Sequence, residues 1–318
     1  MRLIVLVILV AGCREAPLPL PDARTSWPDA APLPTTPPPP LAPVAGASAE
    51  AGKEVFARAC AGCHGADGRT PGPGAADLRR GPTDLGRTGY LCRTTLGEPA
   101  VPADVDIDAA LDHGSHAGRF TLDPAQRRSV VLHVKSLAPG FAAPPQPQLE
   151  VPARLAGDAQ RGRVLYLTFG CWVCHGTGGD GDGSATQSLA WGGKKLERLP
   201  ALSEHAAFVC GAEPERLFRT LALGMGDGPT IMPPHLAFAE KLARPKDIDS
   251  PEWKSRLMGK VSDDEVAKVR DFYRSLPELG EARRASPEAR RARAAGYLWD
   301  LVAYVQSANK KVPPTRSR

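Results

Sequence analysis

The sequence predicts an all-α protein built from two tandem domains. Its 318 residues are enough for about two domains of ordinary size. One short pattern, Cys-x-x-Cys-His, occurs twice, at 60–64 and at 171–175. Each copy follows a short amphipathic helix pattern and precedes a glycine-rich loop, so the repeat extends into the flanks. We therefore predict one domain over 46–142 and a second over 151–308.

The chain begins with a segment typical of an export signal. A basic residue precedes an apolar run over 3–10, which is too short to span a membrane as a helix. Small residues and Cys13 follow, and this junction resembles the lipobox of bacterial lipoproteins. The resemblance implies a signal peptide over 1–12 and a lipidated Cys13 that anchors the protein at the periplasmic face, with Arg14 favouring the outer membrane. The alternative is a plain signal peptide with a chance cysteine.

Residues 13–45 are predicted to form a proline-rich tether. Eleven prolines lie within 17–43. Such a segment cannot form a packed core and favours extended polyproline II structure. It would hold the folded domains away from a membrane, or it would be a disordered tail without a spacing role.

The net charge of +5 is concentrated near the C-terminus. Residues 281–318 hold nine Lys or Arg and three Asp or Glu, so the rest of the chain is close to neutral. A basic end of this kind is more often a solvated face than a nucleic-acid site. We therefore expect no nucleic-acid partner and treat 309–318 as a basic tail.

The repeated pattern is the signature of c-type haem attachment. Its two copies consist of Cys60, Cys63 and His64, and of Cys171, Cys174 and His175. Cysteines three residues apart lie on one side of a helical turn and can reach one porphyrin, whose iron the following His can bind. Half of a zinc site and a dithiol redox pair are the alternatives, but zinc needs four ligands and a redox pair does not require the His. The pattern predicts two covalently bound haem c groups, each with a proximal His.

The flanks of both copies resemble class I cytochromes c. In that family a terminal helix packs across the helix that leads into the haem motif. Stretches similar to this terminal helix occur at 123–137, 262–276 and 294–308. We assign the first to domain one and favour 294–308 for domain two because its apolar face is more continuous, with 262–276 as the alternative. The resemblance implies two cytochrome c-type domains, each a few helices wrapped around a haem, with a charged helical insertion at about 236–290.

The resemblance also implies a methionine as the distal iron ligand of domain two. In class I cytochromes c this Met stands in a Met-Pro context before the terminal helix. Met232, followed by Pro233, fits that context, and Met225 is the competitor.

Domain one departs from the family because no Met lies between residues 2 and 224. We therefore expect His116 as its distal ligand, since a His can replace Met there. His113 and an open iron position remain as alternatives. His133 occupies an aromatic position of the terminal helix and is interpreted as a packing residue. His205 and His235 are interpreted as surface or loop residues.

The two remaining cysteines, Cys92 and Cys210, occupy similar surroundings in the two halves. If the domains pack about a pseudo-two-fold axis, equivalent residues near that axis meet. An oxidising compartment would then join them. We expect an interdomain disulfide, with two buried free thiols as the alternative.

These expectations describe a membrane-anchored diheme cytochrome c that relays single electrons between redox partner proteins. His/Met ligation raises the potential of a haem relative to His/His ligation, so electrons would run from haem 1 to haem 2. With both irons saturated, we expect no enzyme activity and no small-molecule substrate. The alternatives are a diheme peroxidase-like enzyme, or a gas sensor if the iron of haem 1 has an open position.

Overall fold

The computed structural model describes residues 34–78, 81–87, 90–96, 101–188, 190–191, 194–195, 199–205, 208–225, 232–246, 257 and 259–308. The protein is all-α, as predicted. Its helices are α1 (Ala49–Ala59), α2 (Ala61–His64), α3 (Asp104–Ala110), α4 (Pro124–Ser136), α5 (Ala159–Thr168), α6 (Trp172–His175), α7 (Pro214–Leu223), α8 (Leu236–Glu240), α9 (Asp263–Ser275), α10 (Leu279–Arg284) and α11 (Pro287–Ala308). Short 3₁₀ turns occur at Pro73–Asp77, Gly114–His116, Pro139–Ala142 and Ser184–Ser188.

Four short strands form two antiparallel pairs. They are β1 (Thr35–Thr36), β2 (Gln148–Leu149), β3 (Ala190–Trp191) and β4 (Lys194–Lys195). Strand β1 pairs with β2, and β3 pairs with β4. Because β1 belongs to the predicted tether, the last part of that tether is bound to the folded body.

In the first half, α4 crosses α1 where α1 carries Gly52. A Cβ at Gly52 would lie 1.9 Å from the carbonyl oxygen of Ser129, so only glycine allows this approach. Both helices begin with a side-chain cap: Ser48 accepts from the amide of Ala51, and Asp123 forms a capping box with Gln126. The crossing encloses a hydrophobic core made of Val55, Phe56, Leu85, Ile107, Val130, Val131 and Val134.

In the second half, α11 crosses α5 in the same manner. A Cβ at Gly162 would lie 2.1 Å from the carbonyl oxygen of Asp300. Beside this contact the carboxylate of Asp300, which is 1% exposed, pairs with Arg161 and accepts from the amide of Asp158. The helix that crosses α5 is therefore the one that the sequence favours, and its Leu298 and Trp299 lie in the second core.

Residues 236–290, interpreted from the sequence as a charged insertion, contribute to this second core. Leu257, Val269 and Leu276 are each at most 1% exposed. Helix α9 also packs on α5, where Glu265 pairs with Arg163 at 2.8 Å. The second core is thus larger than the first, because described residues of the predicted insertion pack into it.

The two halves are joined by the expected disulfide between Cys92 and Cys210, whose Cα atoms are 5.1 Å apart. Near it, His113 Nε2 of the first half lies 3.7 Å from a carboxylate oxygen of Glu213 in the second. The alternative of two buried free thiols is therefore excluded.

The predicted signal peptide and the basic tail at 309–318 lie outside the described residues, as does Cys13. Among the residues described, no helix has the length and apolar character needed to cross a membrane. The basic C-terminal region is not uniformly solvated, since Arg290 in α11 is 4% exposed and donates to the carbonyl of Ala285.

Candidate haem sites

Each attachment motif forms one tight helical turn directly after the first helix of its half. The amides of Cys63 and His64 both donate to the carbonyl of Cys60, at 3.1 and 2.9 Å. In the second copy the amides of Cys174 and His175 donate to the carbonyl of Cys171, at 3.2 and 2.9 Å. The paired cysteines therefore lie on one side of a turn, as attachment to a single porphyrin requires.

A glycine ends each of these turns with a left-handed backbone conformation. Gly65 has φ of +73° and Gly176 has φ of +78°. A Cβ at Gly65 would lie 1.9 Å from the carbonyl oxygen of Thr70, so the loop can fold back under the motif only with glycine. The left-handed conformation and the close backbone approach explain why a glycine follows the motif.

The four motif cysteines are unpaired, and the thiols of three of them have raised pKa values. Burial raises the pKa of Cys60 to about 11, and the neighbouring Cys63 adds to the shift. Burial raises the pKa of Cys171 to about 12 and raises that of Cys174 as well.

In the first site the imidazole rings of His64 and His116 lie close together. Their ring centroids lie 5.9 Å apart, with ring planes inclined by 35°. His64 donates from Nδ1 to the carbonyl of Thr83 at 3.2 Å, and His116 donates from Nδ1 to the carbonyl of Ala110 at 2.7 Å. Each ring is therefore held by one nitrogen, and its Nε2 remains to bind a metal.

This arrangement fits an iron held between the two rings. Metal–imidazole bonds of about 2.0–2.1 Å on both sides of one ion place the ring centres roughly 6 Å apart. Burial lowers the pKa of His64 to about 4, and the nearby His116 contributes to the shift. Burial also lowers the pKa of His116. Both imidazoles are thus neutral at physiological pH, which is the form that binds a metal.

The other two histidines of the first half point elsewhere. His113 lies beside Glu213 of the second half, with its Nε2 3.7 Å from a carboxylate oxygen. His133 packs edge-on against Phe56 with ring centroids 5.1 Å apart, in agreement with its interpretation as a packing residue.

The second site is built around His175. Burial lowers its pKa to about 4, and its Nδ1 is a buried nitrogen without a hydrogen-bond partner in the described part of the structure. Tyr166 donates its hydroxyl to the carbonyl of Gly176, which fixes the end of the motif turn. The Nζ of Lys260 lies 4.6 Å from the centroid of the Trp172 ring inside the motif.

Met232 and Met225 lie next to each other in the second half. The amide of Met225 donates to the carbonyl of Met232 at 2.9 Å, and both residues are half-buried. Gly224 has φ of +71°, and a Cβ there would lie 2.3 Å from the same carbonyl oxygen. The backbone that carries Met232 is therefore packed against the end of α7.

His235 lies in the non-helical segment just before α8, as interpreted from the sequence, but it is not a surface residue. His235 is 7% exposed, and its ring centroid lies 5.7 Å from that of Phe169. Burial lowers the pKa of His235 to about 4, and the nearby His175 adds to the shift. A histidine after two prolines has no periodic pattern that indicates burial, so this residue was missed. His205 is half-buried and its Nε2 donates to the carbonyl of Val305.

Comparisons with known proteins identify the first half. Residues 49–138 match the family model described as cytochrome c. The chain therefore contains a cytochrome c domain, which implies covalently bound haem c and supports a c-type cytochrome that acts in electron transfer. No curated protein is significantly similar to the chain.

A chain of similar fold occurs in the Kuenenia stuttgartiensis reducing HAO-like protein complex. The two chains share 24% sequence identity with a TM-score of 0.50, and the match covers 72% of this chain and 96% of that one. The prediction that this chain has no enzyme activity is contradicted by this similarity, because the fold occurs in an enzyme-related complex. That prediction rested on the expectation that every coordination position of both irons is filled. Filled positions concern the haem sites alone and do not bear on a larger assembly that contains the chain.

Proposed function

We propose that this chain is an exported, membrane-anchored diheme c-type cytochrome that relays single electrons between redox partner proteins. The observation that carries the proposal is the repeated site. In both halves a Cys-x-x-Cys-His turn follows a helix that is crossed at a glycine, and in the first half a second histidine, His116, lies beside the proximal one. The duplication supports one haem in each half.

At each site, the chain's own residues would hold the group and exclude water. The two cysteines of each turn would attach the porphyrin by thioether bonds, and His64 and His175 would bind the two irons from the proximal side. When bound, the haem supplies an iron that can gain or lose one electron while its ligands stay the same. The hydrogen bond from His64 to the carbonyl of Thr83 would fix the orientation of the ring and strengthen its bond to iron.

The distal ligands would set the direction of the relay. We propose His116 for haem 1, supported by its position opposite His64, and Met232 for haem 2. A His/His pair lowers the potential of a haem and a His/Met pair raises it. Electrons would therefore pass from haem 1 to haem 2, across a junction that the Cys92–Cys210 disulfide holds together.

The proposed location at a membrane rests on the N-terminal sequence. A lipid on Cys13 would anchor the chain to a membrane. This would be the outer membrane if Arg14 directs the sorting of the protein. The residues between Cys13 and β1 would then set the distance to that membrane, since β1 is paired with β2. Redox partners would dock transiently through small interfaces.

The similarity to a chain of an HAO-like complex supports one further part of the proposal. A cytochrome of this fold would serve an oxidoreductase as the subunit that carries electrons to or from it. The relay and the enzyme-associated role are compatible, because both require the chain to accept and release single electrons.

Haem counting in motif variants tests the proposal. The purified holoprotein should carry two haems per chain by pyridine haemochrome assay and by mass. Substitution of Ser for both cysteines of one motif, 60/63 or 171/174, should leave one haem, and substitution in both motifs should leave none. A wild-type protein with a single haem would contradict the proposal.

A further inference from the structure

His235 is a buried imidazole that the proposed relay does not use. It is 7% exposed, although Pro233 and Pro234 just before it are exposed. Its backbone amide donates to the carbonyl of Leu221 at 3.0 Å, which ties it to the last turn of α7. The chain therefore turns inward at His235 and carries the imidazole into the second core.

Two neighbours place this imidazole beside the second haem site. Phe169, whose ring centroid is 5.7 Å away, lies two residues before Cys171 of the attachment motif. His175 lies close enough for its charge to act on His235. The same electrostatic relation links His64 to His116 in the first site. His235 therefore lies next to the segment that enters the second attachment motif.

Met232 and His235 lie on the same short segment. The carbonyl of Met232 is held by the amide of Met225, and the amide of His235 is held by Leu221. Between these two anchors the segment packs against Gly224. The short backbone segment that carries Met232 and His235 is therefore fixed at both ends.

We propose that His235 is a second distal ligand of haem 2, which binds the iron when the bond to Met232 is broken. This inference rests on the proposed function, because it needs a haem on His175. In the exchange the sulfur–iron bond breaks, and a neutral imidazole nitrogen of His235 gives its lone pair to a new nitrogen–iron bond. No electron is transferred and no proton is released.

The exchange would change the relay. With two histidines on each iron, both haems would have low potentials, and the difference that drives electrons from haem 1 to haem 2 would shrink. The site would keep a six-coordinate iron and would not open to small ligands.

Ligand variants of the full-length holoprotein test this inference. Met232→Ala should remain low-spin in the ferric state, lose the weak near-infrared band of a methionine–iron bond, and bind no carbon monoxide at haem 2 when reduced. Met232→Ala with His235→Ala should give a high-spin haem 2 that binds carbon monoxide. A matched control combines Met232→Ala with His205→Ala, which removes a histidine bonded to Val305, and should behave as Met232→Ala alone.

The outcomes separate this inference from the proposed function. A Met232→Ala protein that carries two haems but has a high-spin, carbon monoxide-binding haem 2 would overturn the role of His235 and leave the diheme relay intact. A double variant at 232 and 235 that stays low-spin would also overturn it. A wild-type protein without a haem on the second motif would overturn the proposed function itself.

Discussion

The close approach of α5 and α11 gives a sharp prediction about Gly162. An alanine there would place its Cβ 2.1 Å from the carbonyl oxygen of Asp300 and 2.7 Å from the Cβ of Tyr304. Ordinary van der Waals contact begins at 3.4 Å. The two helices would therefore have to separate by about 1 Å, because the nearest atom belongs to the backbone and cannot rotate away.

The expected loss of stability combines two opposing effects. Overpacking of a tight core contact costs about 1–3 kcal/mol, and a clash with backbone belongs near the upper end. Alanine in place of glycine within a helix stabilises by roughly 1 kcal/mol. The net expectation for Gly162→Ala is a free energy of unfolding lower by about 2 kcal/mol. The separation would also stretch the pairing of Arg161 with Asp300, which lies beside the crossing.

Urea unfolding of the holoprotein measures this change, with Gly296→Ala as the matched control. Gly296 also lies in α11, but a Cβ there would meet no atom within 4 Å. It should therefore stabilise the protein by about 0.5–1 kcal/mol, since only the helix effect remains. Opposite signs of the two changes, at an unchanged m-value, are the predicted result. A Gly162→Ala protein as stable as the wild type would refute the crossing of these helices as described.

Three further predictions concern the first site, the junction and the first core. His116→Ala should give a high-spin haem 1 that binds carbon monoxide, whereas His113→Ala should leave the spectrum unchanged; the reverse pattern would exchange their roles. Replacing both Cys92 and Cys210 by Ser should lower the free energy of unfolding by about 2–5 kcal/mol, because the bond closes a long loop; equal stability in urea would contradict this. Burial lowers the pKa of His133, so its contribution to stability is complete above about pH 6.5 and is lost as the pH falls below that value. The stability of His133→Phe relative to the wild type should therefore rise as the pH falls. A difference in the free energy of unfolding between the two proteins that does not change with pH would contradict this prediction.

Much of the fold could be predicted because it depends on local sequence patterns. The repeated motif marks two turns, and the terminal-helix pattern at 123–137 places α4 across α1. The pairing of Cys92 with Cys210 followed from their equivalent positions in the two halves, and the structure contains that disulfide. His116 was predicted as a distal ligand because the first half has no methionine and His116 precedes the terminal helix at the expected position; its ring lies 5.9 Å from that of His64.

Two cases of burial that the sequence did not reveal have a common physical cause, since both are created by distant contacts. His235 follows Pro233 and Pro234, and nothing in that short sequence indicates that its amide bonds to Leu221 or that its ring packs on Phe169. The insertion reads as charged, yet it packs Val269 into the second core. Spacing alone does not reveal these contacts, because the helices that bury them are far apart in the chain.

A redox titration of the holoprotein, followed by optical and EPR spectroscopy, tests the central claim most directly. The account predicts two low-spin haems with separate midpoints, the lower with two histidine ligands and the higher with histidine and methionine, and no carbon monoxide binding at the end of the titration. A single haem, one shared midpoint, or a higher potential for the haem with two histidine ligands would contradict a relay from haem 1 to haem 2.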